Sequence, residues 1–134
     1  MKYELKGNYF NGSYHLPEVD PLRNISKKIK KTSPANIDEK LWELIVDYNC
    51  IDQVLLSASE GFNSWRKTNI DSRVELLEKF KEKVIEKEEL IATAIALETG
   101  KPIWESKTEA KALAAKVNVT ISKSLPRINS EYWR

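Results

Sequence analysis

The chain of 134 residues carries 22 Lys and Arg against 20 Asp and Glu, for a formal net charge of +2, with 41% hydrophobic residues and one cysteine. That length suits a single domain, and the charge is too small to argue for a nucleic-acid or membrane partner. A lone cysteine excludes an intrachain disulfide framework, and no apolar run approaches the ~18 residues of a membrane span.

The opening residues Met1-Lys2-Tyr3-Glu4-Leu5-Lys6 lack the apolar core of a secretory signal. The glycosylation-like triplets at Asn11, Asn24 and Asn118 therefore read as chance matches, and a soluble cytoplasmic protein is expected. Tyr9-Phe10-Asn11-Gly12-Ser13-Tyr14 sets aromatics around an Asn-Gly pair, which predicts a hairpin. Pro17, Asp20, Pro21 and Asn24 punctuate a loop. Ile25–Thr32 fits a strand with Ile25 and Ile29 inward, although the same spacing suits one helical turn. Its lysines, Lys27, Lys28, Lys30 and Lys31, could form a phosphate or acidic-partner patch. A lysine-guarded strand edge is the better reading, because no aromatics are interleaved and Asp20, Asp38 and Glu39 dilute the charge. Ser33-Pro34-Ala35-Asn36 predicts a turn, and Leu41–Val46 a strand by its bulky and β-branched content.

Four helices are predicted beyond this point. Asn49 with Asp52 resembles a helix start, and Ile51, Val54, Leu55, Ala58 and Phe62 then share one face, with Gly61 weakening the last turn. Residues 63–67 read as a connection, and Thr68 with Asp71 as the capping box of the next helix. There Val74, Leu77, Phe80, Lys81 and Val84 form one stripe. Residues 86–89 mark a restart before a helix that runs to Thr99, with Leu90, Ile91, Ala94, Ile95 and Leu97 as its apolar set. Gly100 can take the left-handed conformation that ends a helix, and Pro102 opens the next one. Lys101 would complement the carbonyls of the finished helix. Trp104, Thr108, Ala112, Ala115 and Val119 form the expected inward stripe of a last helix that stops at Leu125-Pro126.

Chemistry-bearing residues are sparse. Cys50 stands at a predicted helix N-terminus, where a thiolate is favoured, but no base or activating group accompanies it. His15 is the only histidine and falls in a proline-bounded loop; together with one cysteine it cannot complete a four-ligand zinc site. Glu98, Glu105 and Glu109 could act as acid–base groups near the Gly100 joint, yet a solvated face is the commoner role. Trp65, Trp104 and Trp133 are expected to pack. Four glycines are too few to write a dinucleotide fingerprint or a phosphate loop. From the residues alone, no catalytic, cofactor-binding or metal position is assigned.

From Ser33 to about Ser124 the order of signals resembles the N-terminal region of the NAD(P)-dependent aldehyde dehydrogenase superfamily. The matching stretches are Ser33-Pro34-Ala35, Val54…Ala58…Phe62-Asn63-Ser64-Trp65 and Arg73–Phe80. The most specific is Glu98-Thr99-Gly100-Lys101-Pro102 followed by Trp104-Glu105 and Thr108-Glu109. This last block is most similar to semialdehyde-oxidising members, and Gly7–Gly12 resembles the family's opening hairpin. The resemblance implies an intact relative that oxidises an aldehyde through a thiohemiacetal on cysteine, with hydride passing to NAD or NADP. It implies that the catalytic cysteine, the glutamate base and the cofactor-gripping units lie beyond this chain, and that Cys50 is not the catalytic thiol.

The expected architecture is α+β and mostly α: a short N-terminal β-hairpin and strands followed by about four helices, as in the periphery of the family's cofactor-binding domain. It would be a single incomplete domain over 1–134, with strands and loops over 1–48, helices over 49–125 and a tail over 126–134. The chain alone should turn over nothing, hold no cofactor or metal, and bind neither nucleic acid nor membrane. Its expected partner is a missing C-terminal remainder or an oligomeric partner. The competing expectation is a free-standing helical module that binds another protein through an exposed apolar face. A nucleic-acid binder using Lys27–Lys31 is a third.

Overall fold

The computed structural model describes residues 5–17 and 26–127, grouped into two units, Met1–Thr68 and Asn69–Arg134. Within the first unit, β1 (Asn8–Phe10) and β2 (Ser13–His15) pair antiparallel, with Tyr9 opposite Tyr14. Asn11 and Gly12 join them at φ of 50° and 76°, the positive values that a two-residue primed turn needs. The hairpin predicted from Asn-Gly is therefore present.

A second hairpin follows, β3 (Ser26–Ser33) against β4 (Asn36–Asp47), so the strand alternative holds for the lysine-rich stretch. Ile25 lies outside the described residues, as do Pro21, Asn24 and Trp133. Ile29 is more than one-third exposed rather than inward. Lys31 pairs with Trp42 and Thr32 with Lys40, which leaves Leu41 as the extra residue of a bulge. That kink turns Leu41 inside, where it is 4% exposed and the one buried apolar side chain among the unit's described residues. Across the ladder Lys28 and Glu43 meet at 2.6 Å.

Helix α1 (Ile51–Trp65) begins with Cys50 at its cap, without a side-chain cap bond. Asn49 does not cap it; its own amide donates instead to the Asp47 carboxylate at 2.8 Å. The helix also runs through Gly61 and takes in residues 63–65, which were expected to form a connection. A single glycine costs only about 1 kcal/mol inside a helix, and i,i+4 bonding continues past it. The predicted face of α1 exists, but of Ile51, Val54, Leu55, Ala58 and Phe62 only Val54 is even half-buried.

In the second unit α2 spans Ile70–Glu86, α3 Glu88–Thr99 and α4 Ile103–Val119. The cap of α2 is Asn69, whose side-chain oxygen accepts from the Ser72 amide at 2.8 Å. Thr68, the expected cap, turns its hydroxyl back onto the Trp65 carbonyl. On α2 the predicted stripe holds in part: Val84 is buried, Val74, Leu77 and Lys81 are half-buried, and Phe80 is 47% exposed. Lys87 breaks the helix at φ −108°, ψ 15°, the restart expected there. Gly100 takes φ 75°, ψ 9° and donates to the Ala96 carbonyl, closing α3 as the left-handed cap predicts.

The inward face of α4 is not the one expected. Ser106, Ala110, Ala114 and Val117 are the buried positions, whereas Trp104, Thr108, Ala112, Ala115 and Val119 are all exposed. At ~100° per residue the two sets lie on opposite sides of the helix. Small side chains let α4 approach α3, whose Ala92 is fully covered. Bulk dominates a hydrophobic count, so a stripe of Ser and Ala is easily overlooked. Beyond Val119 the chain widens into a π-turn, Thr120–Ser124, and closes as a 3₁₀ turn, Leu125–Arg127. Thr120 and Ser122 hydroxyls bond back to the Lys116 and Asn118 carbonyls at 2.9 and 2.7 Å, a habit that bends helices, and Pro126 removes the next amide. The layout is α+β and mostly α, two strand pairs followed by four helices.

Candidate functional site

Cys50 is the natural starting point for chemistry. It sits where β4 hands over to α1, half-buried, its Sγ donating to the Asp47 carbonyl at 3.2 Å and accepting from Asn8 Nδ2 at 3.3 Å. Both partners are neutral amide groups, neither a base nor a cation that would activate a thiol. His15 lies on strand β2 rather than in a loop. Its ring stacks on Phe10 at 4.0 Å between centroids, and Nε2 reaches the Ser13 hydroxyl at 3.0 Å and the Phe10 carbonyl at 3.3 Å. His15 and Cys50 line separate depressions. That beside His15, with Gln53, Leu56 and Glu60, holds ≈ 250 Å³; that beside Cys50, with Tyr9, Val46, Ile51 and Leu55, holds ≈ 430 Å³. The two residues most suited to nucleophilic catalysis are thus not brought together.

The acids of the α3–α4 joint behave as a solvated face. Lys101 pairs with both Glu109 and Glu105, the latter at 3.5 Å. Its ammonium therefore serves the first turns of α4, not the end of α3 as expected, because Gly100 has already turned the chain away from those carbonyls. The bond donated to Glu109 raises the Lys101 pKa, against a lesser opposing effect of desolvation. Glu89–Lys107 at 2.8 Å and the looser Glu88–Lys111 at 3.9 Å tie α3 to α4. On the far side, Lys81 pairs with Glu78 and donates to Asn118 at 3.1 Å, which links α2 to α4. Trp65 and Trp104, expected to pack, are 44% and 69% exposed.

Among the described residues no three His, Cys, Asp or Glu side chains gather as metal ligands, and no helix is long and apolar enough to cross a membrane. A dinucleotide needs backbone amides at a glycine-lined turn between strand and helix. The described strand-to-helix turn, Tyr48-Asn49-Cys50, carries side chains throughout, and Gly61 and Gly100 lie in or between helices. No glycine-lined strand-to-helix turn of that kind is present among the described residues.

What the geometry defines in the second unit is a set of helices whose α3 and α4 are joined through Glu98-Thr99-Gly100-Lys101-Pro102. Residues 22–131 match the aldehyde dehydrogenase family, and the chain belongs to that family. It is similar to the N-succinylglutamate 5-semialdehyde dehydrogenase of Burkholderia ambifaria, 42% identical over 71 residues that cover 53% of this chain and 15% of that one. The enzymes of the same name from Burkholderia thailandensis and Paraburkholderia xenovorans are 34% and 41% identical over 86 and 71 residues. Those stretches are 18% and 15% of the relatives' own lengths, so the chain spans less than a fifth of the proteins it matches.

Proposed function

We propose that this chain supplies the N-terminal helical layer of an aldehyde-oxidising dehydrogenase, and that chemistry and cofactor binding belong to residues outside these 134. The overall reaction would convert a semialdehyde of the class named for its relatives to the corresponding acid, with NAD or NADP as hydride acceptor, in the cytoplasm. The observation that carries this reading is the α3–α4 joint. Gly100 and Pro102 set two helices at one fixed turn, inside a segment that matches the family, while Cys50 and His15 are engaged in hydrogen bonds to Asn8 and to the Phe10 carbonyl. The partner would be the portion of a family chain that follows this segment in the relatives.

Incubating the purified chain with short semialdehydes and either NAD or NADP, and following absorbance of the reduced cofactor, tests the reading. No reduction is expected; turnover by the chain alone overturns it. The second reading, a free-standing interaction module, is favoured by the outward Trp104, Leu55, Leu56 and Phe62, each more than half-exposed. A monomer that unfolds in one cooperative transition, and gains nothing from co-expression with the rest of a family chain, would support it instead.

A further inference from the structure

We propose that Asn11-Gly12, the tip of the first hairpin, is a self-modification site: the Gly12 amide nitrogen attacks the Asn11 side-chain carbonyl when the hairpin opens, and the isoaspartate that results detaches β1–β2 from α1. In that step the Gly12 nitrogen gives up its proton and bonds to Cγ of Asn11. The C–N bond to the side-chain amine breaks, and ammonia leaves with the proton. Water then opens the cyclic imide at either carbonyl, giving isoaspartate or aspartate. The net change is amide plus water to carboxylic acid plus ammonia, with no oxidant or reductant. Both residues are exposed, and a β-carbon at Gly12 would meet nothing within 4 Å, so its nitrogen is open to approach. Among the described residues, no hydrogen bond holds the Asn11 side-chain amide. Asn63-Ser64, by contrast, lies inside α1, where the Ser64 nitrogen belongs to the helical ladder.

The folded turn holds the reaction back. With φ of 50° and 76° at its two central residues it is of the primed kind, and its left-handed first residue carries the next nitrogen on the side of the Cα–C bond away from Cβ. Attack therefore waits for the turn to open. Strands of three residues make opening frequent, since an isolated two-stranded hairpin is marginal in water. Two anchors oppose it. The Asn11 N–H donates to the Ser57 hydroxyl of α1 at 3.1 Å, and Asn8 Nδ2 donates to Cys50 Sγ at the cap of that helix at 3.3 Å. Isoaspartate adds a main-chain carbon to a turn built for two residues, so the pairing of Tyr9 with Tyr14 and the reach to Ser57 cannot both persist. Its carboxylate would also share the His15 depression with Glu60, a like charge.

The test ages the full chain in warm, mildly alkaline buffer, digests it with trypsin, and reads the peptide over residues 7–23 by mass spectrometry and by enzymatic methylation of isoaspartate. We expect that peptide to gain the single mass unit that exchange of NH2 for OH brings, while the peptide holding Asn63-Ser64 stays unchanged. Conversion should be faster in urea than in the folded chain. It should be about fivefold faster in Ser57→Ala, which loses one hydrogen bond at unchanged helical circular dichroism, and Asn8→Ala should act likewise. In the converted chain the Tyr9 and Tyr14 amide signals should move to unfolded positions by NMR, whereas Asn11→Asp, with its main chain intact, should keep them in place. No conversion in the folded chain overturns the inference. So does a folded rate equal to that in urea, a wild-type rate in both anchor variants, or isoaspartate that leaves the two tyrosine signals unmoved.

Discussion

At the scale of single residues, two positions decide how the second unit is built. Asn69 supplies the only side-chain bond seen at the four α-helix N-termini of the described residues. Asn69→Ala should therefore cost about 1 kcal/mol, read as a shift in the urea midpoint, with Thr68→Ala costing less because that hydroxyl caps no amide of α2. Thr68 followed three places on by Asp71 is the pattern a capping box shows, and Asn69 followed by Ser72 is not. The pattern could not rank them, because the choice depends on which residue takes the extended backbone, and Asn69 does so at φ −71°, ψ 167°. Ser106 is the second position. It is fully buried, and its hydroxyl donates to the Pro102 carbonyl at 3.2 Å. Ser106→Leu should destabilise by about 1–3 kcal/mol through overpacking, whereas Ser106→Ala should cost less; chemical denaturation distinguishes them.

At the scale of elements, local rules predicted what local forces determine. The Asn11-Gly12 turn, the Gly100 cap, the Lys87 break and the β3–β4 hairpin each follow from backbone preferences of two or three residues, and each is present. Which face of a helix turns inward is a tertiary matter, and there the reading of α4 was reversed. A bulky Trp and Val at helical spacing signalled burial, but the neighbours inside this chain accept only small side chains. The candidate site was legible in the same uneven way: the residue types of Cys50 and His15 were plain, while their separation depends on the hairpin and α1 together. The β3–β4 pair also carries a pH prediction. The hydrogen bond from Lys28 holds the Glu43 carboxyl below its ordinary value of 4.5, assisted by the charges of Lys28, Lys40 and Lys30 and opposed by desolvation. A carboxyl with a depressed folded value stabilises above its unfolded pKa and loses that contribution as pH falls through the folded one. The hairpin should thus loosen below pH ~4.5, and less so in Glu43→Gln, as read by hairpin amide shifts in an NMR titration. Added salt should shrink the difference, since the pair is open to solvent.

At the scale of the whole chain, large apolar residues stand in water on several helices. Leu55, Leu56, Phe62, Leu76, Ile85 and Trp104 are all more than half-exposed, spread over α1, α2 and α4. Under the function proposed above, the remainder of a family chain would cover these faces, since the matched stretches are 15% and 18% of the relatives' own lengths. One feature of the layout bears on how the chain could be handled in the laboratory. The boundary between the two units falls after Thr68, and the residues just before it, Arg66 and Lys67, are exposed and sit in a short turn rather than in a helix. Trypsin should make its earliest scission there, ahead of the many lysines held within helices and strands. Brief digestion followed by mass spectrometry should return two fragments of almost equal mass.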